Sequence, residues 1–464
     1  MAMFPAARCV VLQSAARMVD SRRLPSGRLS RLSKIAALGA RAGVSLITKG
    51  GTDAAVERAA DVLGSMRGLA AKAGQIASYV DGMVPESRQP AFEAALAKLR
   101  SSAASSPFRD VRDLIESELG APIEELFTSF EETPFASASI GQVHAATLAS
   151  GEKVAVKVQH HGIAAAVESD LASAAMLEPL AGFATGGKVS SKHVLDEMKK
   201  RLREELDYAL EAERQIAFQA LHEGDASIRV PTVVASRSSK RVLTSEFVAG
   251  RSLEDLAAES ESDRRAFAET LWRFVFKGNL VGGMFNADPH PGNYLFHEAG
   301  VVTFLDFGCV EVLPTERVER ARRLHAAALR RDEDAFAACV RDLLELKGGT
   351  WEKLAVHFSR SCFEPLFASP FKITRGFAAS LVTEFKSMAK QVKSLPKGEV
   401  IAIPKGMVFM NRLQFGFYSV LARLDVEVDY AAVESTFLRE AELLADEPSS
   451  VDPSTASTES PSSS

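Results

Sequence analysis

The chain has 464 residues, 46% hydrophobic and 25% charged, the make-up of an ordinary large globular enzyme with room for two or three core-bearing units. Its net charge of −5 argues against a dedicated nucleic-acid binder, because phosphate recognition needs a basic face. Four scattered cysteines, Cys9, Cys309, Cys339 and Cys362, form no C-x-x-C pair, which suits a reducing compartment without a zinc site, and no long apolar run offers a transmembrane helix.

Met1 to Lys49 carries nine basic residues against the single acid Asp20. Such a start fits a mitochondrial transit segment, and it fits equally a basic helix resting on an anionic membrane. Residues 1–23 read as a basic, disordered leader. The weight lies with a bacterial cytoplasmic protein in peripheral contact with the inner membrane; a eukaryotic protein would belong on the matrix side of the mitochondrion. Residues 24–107 form a helical extension, with apolar residues at helical spacing from Thr52 to Leu99. Within it Lys72 and Gln75 stand at i and i+3 and share one face beside Gly74, which permits close approach of another surface. Ser101 to Pro107 is a Ser/Ala linker.

Residues 108–247 read as a small, strand-rich unit. It opens with a helix from Phe108 to Leu126 and continues into a turn of small residues, Ala136, Ser137, Ala138, Ser139, Gly141 and Gln142. Alanine and serine let a backbone approach phosphates, but without the positive-φ freedom of glycine. Val154-Ala155-Val156-Lys157 is an apolar strand ending on a lysine, and residues 163–183 are a helical insertion. One helix is expected from about Asp196 to Leu221, carrying Glu204, Glu205, Asp207, Glu211 and Glu213; spacing alone does not choose which acid meets a lysine. Strands at Pro231 to Val234 and Arg241 to Phe247 close the unit, and Glu246, Phe247 and Val248 form the hinge whose backbone would meet an adenine. Long amphipathic patterns at Arg264 to Leu280 and Arg317 to Leu346 make residues 248–445 a helical unit, followed at 446–464 by a disordered Ser-rich tail.

The densest chemical signal is Asn286-Ala287-Asp288-Pro289-His290-Pro291-Gly292-Asn293, followed by Asp306-Phe307-Gly308. An Asp, an Asn five residues on and an Asp-Phe-Gly thirteen beyond reproduce the catalytic loop and metal-binding Asp of a protein kinase. Phosphoryl transfer needs a carboxylate near the nucleophile, and an amide and second carboxylate to hold magnesium on the nucleotide. Tyr294 to Phe296 and Val301 to Phe304 fit the hairpin that returns the second Asp to the first. Lys157 stands 131 residues before Asp288, a plausible distance for the phosphate-binding lysine.

The Ala/Ser turn, Lys72-Ala73-Gly74-Gln75, Glu205-Leu206-Asp207-Tyr208 with Glu211 after it, and the Asp-Pro-His-Pro-Gly-Asn loop together resemble the UbiB/AarF-type atypical kinases, kinase-like ATPases linked to ubiquinone biosynthesis. The resemblance covers roughly residues 24–440. It implies an α+β, two-lobed protein-kinase-like fold with a β-rich small lobe, a helical large lobe and an N-terminal helical extension. It further implies an ion pair of Lys157 with Glu211, magnesium on Asn293 and Asp306, and Asp288 as the catalytic-loop Asp. ATP would lie against residues 136–142, Lys157, Glu246 and Val248. Lys72, Gly74 and Gln75 would form a lid against Glu205 and Asp207, with Lys72 meeting Glu205 and peptide substrates kept out.

Two departures bear on activity. Asn286 stands where the family has histidine, and Ala287 where protein kinases have arginine, so activation by a phosphorylated loop loses its charge partner. Pro314 follows so soon after Gly308 that little chain remains to lay out a peptide. The expectation is an Mg–ATP-dependent ATPase or phosphotransferase supporting ubiquinone or related isoprenoid-lipid biosynthesis. Its partners would be a quinone precursor or lipid and the enzymes of that synthesis, not nucleic acid. A small-molecule kinase of the aminoglycoside-phosphotransferase type and a nucleotide-binding pseudokinase are the alternatives.

Overall fold

A computed structural model describes residues 105–138, 140–169, 171, 199–394 and 407–443. The leader, most of the helical extension with Lys72, Gly74 and Gln75, Ser139, most of the 163–183 insertion and the Ser-rich tail lie outside these residues.

The small lobe is a five-stranded antiparallel sheet. Its strands are β1 (Ser129–Phe130), β2 (Ala136–Ser137), β3 (Gly141–Thr147) and β4 (Lys153–Gln159), with β6 (Val242–Glu246) entering after β5 (Ile228–Arg229) has left for the other lobe. The order is β1-β3-β4-β6, with β2 also on β3. Period-two alternation decides what each face carries. On β4, Val154, Val156 and Val158 are buried against α1 (Phe108–Leu119) and α2 (Ile123–Leu126), which turns Lys157 to the opposite face. There α3 (Tyr208–Leu221) packs through Tyr208 and Ala212 with Ile140 and Leu243. Across the ladder Lys157 faces Val143 on β3 and Leu243 on β6.

The large lobe is built around α4 (Glu261–Leu280), whose buried face carries Phe267, Leu271, Trp272, Phe274 and Val275. Three short strand pairs lie against it: β7 (Met284–Asn286) with β10 (Val310–Val312), β8 (Tyr294–Phe296) with β9 (Val302–Phe304), and β5 parallel to β9. The helices α5 (Thr315–Leu329), α6 (Glu333–Leu343), α7 (Gly349–Cys362), α8 (Glu364–Phe367), α9 (Arg375–Ser394), α10 (Met407–Leu424) and α11 (Tyr430–Glu440) complete the lobe. Among the described residues no helix is long and apolar enough to cross a membrane.

Four expectations need correction. The helix expected over 108–126 is two, because Gly120 takes φ 74° as a left-handed C-cap and Pro122 starts the next turn. The helix expected at 196–221 breaks at Leu206 and Asp207, where the Asp207 carboxylate caps α3 by accepting the Leu210 N–H at 3.3 Å. The pattern over 317–346 divides at Arg331 (φ 56°) and Asp332, which caps α6 through the Ala335 N–H. Pro231 to Val234 contributes only a bridge from Val233 to Ser245, and the strand lies earlier, at β5; Pro231 has no N–H for a ladder.

Candidate active site

Lys157 is held at the centre of the cleft. Its ammonium donates to both oxygens of Glu211, at 2.7 and 2.9 Å, and lies 3.4 Å from Asp306 Oδ2. Lys157 and Glu211 side chains are 16% and 3% exposed, whereas Asp306 keeps 33% and is the most exposed member of the group. Burial works against the Lys157 charge, but the Asp306 and Glu211 carboxylates outweigh it and hold the ammonium well above the ordinary lysine value. Burial pushes the Glu211 carboxyl up, and Lys157 only partly offsets this. The two directions pull against each other; we take the pair as ionised, because the ammonium sits between two carboxylates and Glu211 also accepts a bond from the Phe307 backbone. Among the five acids left open by spacing, Glu211 is the one that faces the sheet, one turn into α3 after the Asp207 cap.

The Asp-Phe-Gly turn is anchored by its phenylalanine. Phe307 is buried against Phe218 of α3, with ring centroids 5.2 Å apart, and near Phe274 of α4, which stacks on Phe304. Gly308 N–H donates to Asp306 Oδ1 at 3.0 Å, leaving Oδ2 toward Lys157. The catalytic loop is tied to this turn by Asn286, which sequence alone marked only as a departure. Its amide donates to the Asp306 carbonyl at 2.5 Å, and its oxygen accepts the Asp288 N–H at 3.0 Å. The amide offers the donor and the acceptor on one carbon. Asn293 Nδ2 donates to the Asp288 carbonyl at 3.0 Å, and its own carbonyl accepts the Leu305 N–H. Its side-chain oxygen, the atom a hard cation takes, is therefore the one not spent on the loop. With the Asp306 carboxylate, this donor set fits magnesium.

The turn of small residues is built differently. Ala136 and Ser137 lie exposed on β2, Ala138 is half-buried, and Ala138 N–H donates to the Gly141 carbonyl at 2.9 Å. Gly141 has a packing reason to be glycine: a Cβ there would stand 2.3 Å from the Val158 carbonyl oxygen and 2.7 Å from the Tyr208 hydroxyl. Gln142 does not point into the cleft. Its buried side chain accepts the Ser106 N–H at 2.7 Å and meets His144 at 2.9 Å, tying the linker end to the sheet. Glu246 ends β6 and Val248 lies two residues beyond it, both half-buried where the chain leaves the sheet, with Glu246 paired to Arg229. Glu205 is half-buried at the end of the helical stretch 199–205 that precedes α3.

Residues that spacing did not single out also serve the site. Tyr208 places its ring over Lys157, 4.9 Å from the ammonium, and burial pushes its phenol up. Its hydroxyl has no hydrogen-bond partner among the described residues. Glu204, set aside with the other acids, accepts from Arg201 and Arg214, both at 2.7 Å. The Glu204–Arg201 spacing of three was the available signal, but such pairs on a helix usually signify a solvated face.

A family model for the ABC1 atypical kinase-like domain matches residues 98–340, more than half of the chain. The chain belongs to the ABC1 atypical kinase-like family. Relatives include the mitochondrial atypical kinase COQ8B of Rattus norvegicus, 31% identical over 70% of this chain, and the mitochondrial atypical kinase COQ8 of Saccharomyces cerevisiae, 28% identical over 68%. The match spans 65% of each relative, just under two thirds of their length. A solved structure of Rv3197 with erythromycin, from Mycobacterium tuberculosis, superposes with a TM-score of 0.57 at 25% identity, covering 87% of this chain and 97% of that one. The ABC1 family membership and this likeness bear out the two-lobed kinase-like α+β fold.

Proposed function

We propose that the protein binds Mg–ATP in the cleft at Lys157 and hydrolyses it, or transfers its γ-phosphoryl group, in support of ubiquinone or related isoprenoid-lipid biosynthesis. The observation that carries the reading is the Lys157 ammonium bonded to Glu211 and facing Asp306. In this reading Lys157 orients the nucleotide phosphates and Glu211 fixes the lysine. Asn293 and Asp306 would hold the magnesium, which when bound neutralises charge on the phosphates. Asp288, held at both its N–H and its carbonyl, accepts the proton of the attacking hydroxyl or water. Residues 136–141 cover the phosphates through backbone, and Glu246 and Val248 meet the adenine. Peptides are poor acceptors, because Ala287 offers no cation to a phosphorylated loop and α5 begins at Thr315, nine residues after Asp306. Lys72 against Glu205 would add a lid, with Asp207 confined to capping α3. Likeness to relatives named as COQ8 kinases supports lipid or quinone-precursor contact, and the basic residues of Met1 to Lys49 support a peripheral membrane location.

The test is ATP turnover by the full chain, with and without magnesium, and with lipid vesicles or a quinone-precursor mimic. Magnesium-dependent turnover that rises with the lipid or mimic is expected. Nucleotide binding without turnover would make the protein a pseudokinase, and no magnesium-dependent binding would end the proposal.

A further inference from the structure

The backbone that follows Asp306 is gripped by two arginines that belong to the other side of the cleft. Arg214, on α3, donates to the Gly308 carbonyl at 3.2 Å. Arg201, in the helical stretch 199–205 that precedes α3, donates to the buried Val310 carbonyl at 2.8 Å and pairs with Glu311. Both guanidinium groups converge on one oxygen of Glu204, each at 2.7 Å. The side chains of Arg201, Glu204 and Arg214 are only 9%, 14% and 11% exposed, so water screens the cluster little. Two arginines and the two glutamates Glu204 and Glu311 cancel in charge. Removing one member would strand a nearly buried charge, which costs more than the intact pair is worth.

The position of this cluster carries the inference. The first residue after Asp306-Phe307 gives its carbonyl to Arg214 and the third gives its own to Arg201, while Ala287 N–H takes the Cys309 carbonyl between them at 2.7 Å. Successive carbonyls of the segment are thereby fixed without any phosphate. We propose that Arg201, Glu204 and Arg214 are positioning residues: a built-in clamp that holds the Asp306 turn facing Lys157 and replaces activation by phosphorylation. The clamp fixes the backbone, and Gly308 N–H then fixes Asp306 Oδ1, so the other carboxylate oxygen stays aimed into the cleft. Burial works against the Glu204 charge, and the two arginines outweigh it and hold its carboxyl below the ordinary glutamate value, in keeping with a permanently charged clamp.

The link to magnesium rests on the function proposed above, whereas the clamp itself is testable without nucleotide. Amide hydrogen exchange over residues 306–312 would be followed in the full chain for wild type, Arg214→Ala and Glu204→Gln. The magnesium half-saturation of ATP turnover would be measured on the same proteins. The expected result is faster exchange confined to 306–312, with α3 amides unchanged. Half-saturation by magnesium should rise about tenfold, equivalent to about 1.4 kcal/mol, and the nucleotide-free protein should stay folded but melt at a lower temperature, because a nearly buried charge is left without its partner. Arg214→Lys, which keeps the charge against Glu204, should recover part of the loss. Should Arg214→Ala not fold, Glu204→Gln, equal in size, carries the test. Unchanged exchange at 306–312 overturns the clamp, and faster exchange with unchanged magnesium dependence overturns its positioning role. Loss of wild-type turnover after phosphatase treatment overturns independence from phosphorylation. A wild type with no response to Mg–ATP refutes the proposed function, and the exchange data still decide the clamp.

Discussion

The two walls of the cleft are held in different ways. On the large-lobe wall, Asn286 and Asn293 bond backbone groups around Asp288 and Asp306, Arg201 and Arg214 reach across from the other side to the Val310 and Gly308 carbonyls, and Phe307 is buried. On the small-lobe wall, the described residues of the turn at 136–141 are held by backbone-to-backbone bonds and by the packing of Gly141 against Val158 and Tyr208. Side chain-to-backbone bonds fix a loop in one register, whereas packing fixes its distance and leaves its slope free. In the proposed reading, the wall that would face the metal is preorganised, and the wall that would cover the phosphates is the one left to adjust over a ligand.

Substitutions separate the two walls. The largest stability effect is expected at Phe307→Ala, which empties a fully buried ring site between Phe218 and Phe274. A loss of roughly 3–5 kcal/mol in urea unfolding is predicted; a loss below 1 kcal/mol would show that the ring does not anchor the turn. Lys157→Met should lower turnover by about 10²-fold or more while the protein still folds, since it removes a charge directed at the phosphates; retained turnover would take Lys157 out of the site. Gly141→Ala tests the opposite wall, where the added methyl meets backbone at 2.3 Å. It should cost about 1–3 kcal/mol through overpacking, measured by denaturant midpoint, and a neutral result would show that the turn yields freely.

A smaller, pH-dependent effect belongs to the large-lobe wall. His222 stacks on Phe218 and Phe274, is buried with neither ring nitrogen hydrogen-bonded among the described residues, and burial lowers its pKa to about 3. The unfolded chain binds this proton near the ordinary value of 6.5, so between those two values the unfolded state holds more protons. Stability from this group is whole above that upper value and is lost as pH falls toward the lower one. Comparing urea midpoints of wild type and His222→Leu from pH 7 down to 4 should show a shallower decline in the variant. Parallel declines would mean that His222 is accessible to protons in the folded state.

Much of the site was legible because its chemistry demands fixed residue types at fixed spacing. Asp288, Asn293 and Asp306 stand on a loop and hairpin whose strands, β8 and β9, fall where the apolar runs placed them. Glu211 was not legible from spacing, since residues 204–213 carry five acids and only the cap at Asp207 sets which one faces Lys157. Arg201, Glu204 and Arg214 read as a solvated charged face, because a sequence does not show that the backbone after Asp306 lies across them. Gln142 shows the reverse error: its place in the turn suggested a ligand contact, yet strand alternation sends its side chain to Ser106 and His144. Helix ends were missed where one residue breaks a good pattern, as at Gly120 and Arg331.

The central claim is that Lys157, Glu211, Asn293 and Asp306 together form a magnesium–nucleotide site. The most direct measurement is the ATP-induced rise in melting temperature, with and without magnesium, for wild type and Asp306→Asn, because a ligand bound only by the folded state must stabilise it. The account predicts a magnesium-dependent rise in wild type that Asp306→Asn loses while its nucleotide-free melting temperature stays close to normal. An equal magnesium-dependent rise in both proteins would contradict it.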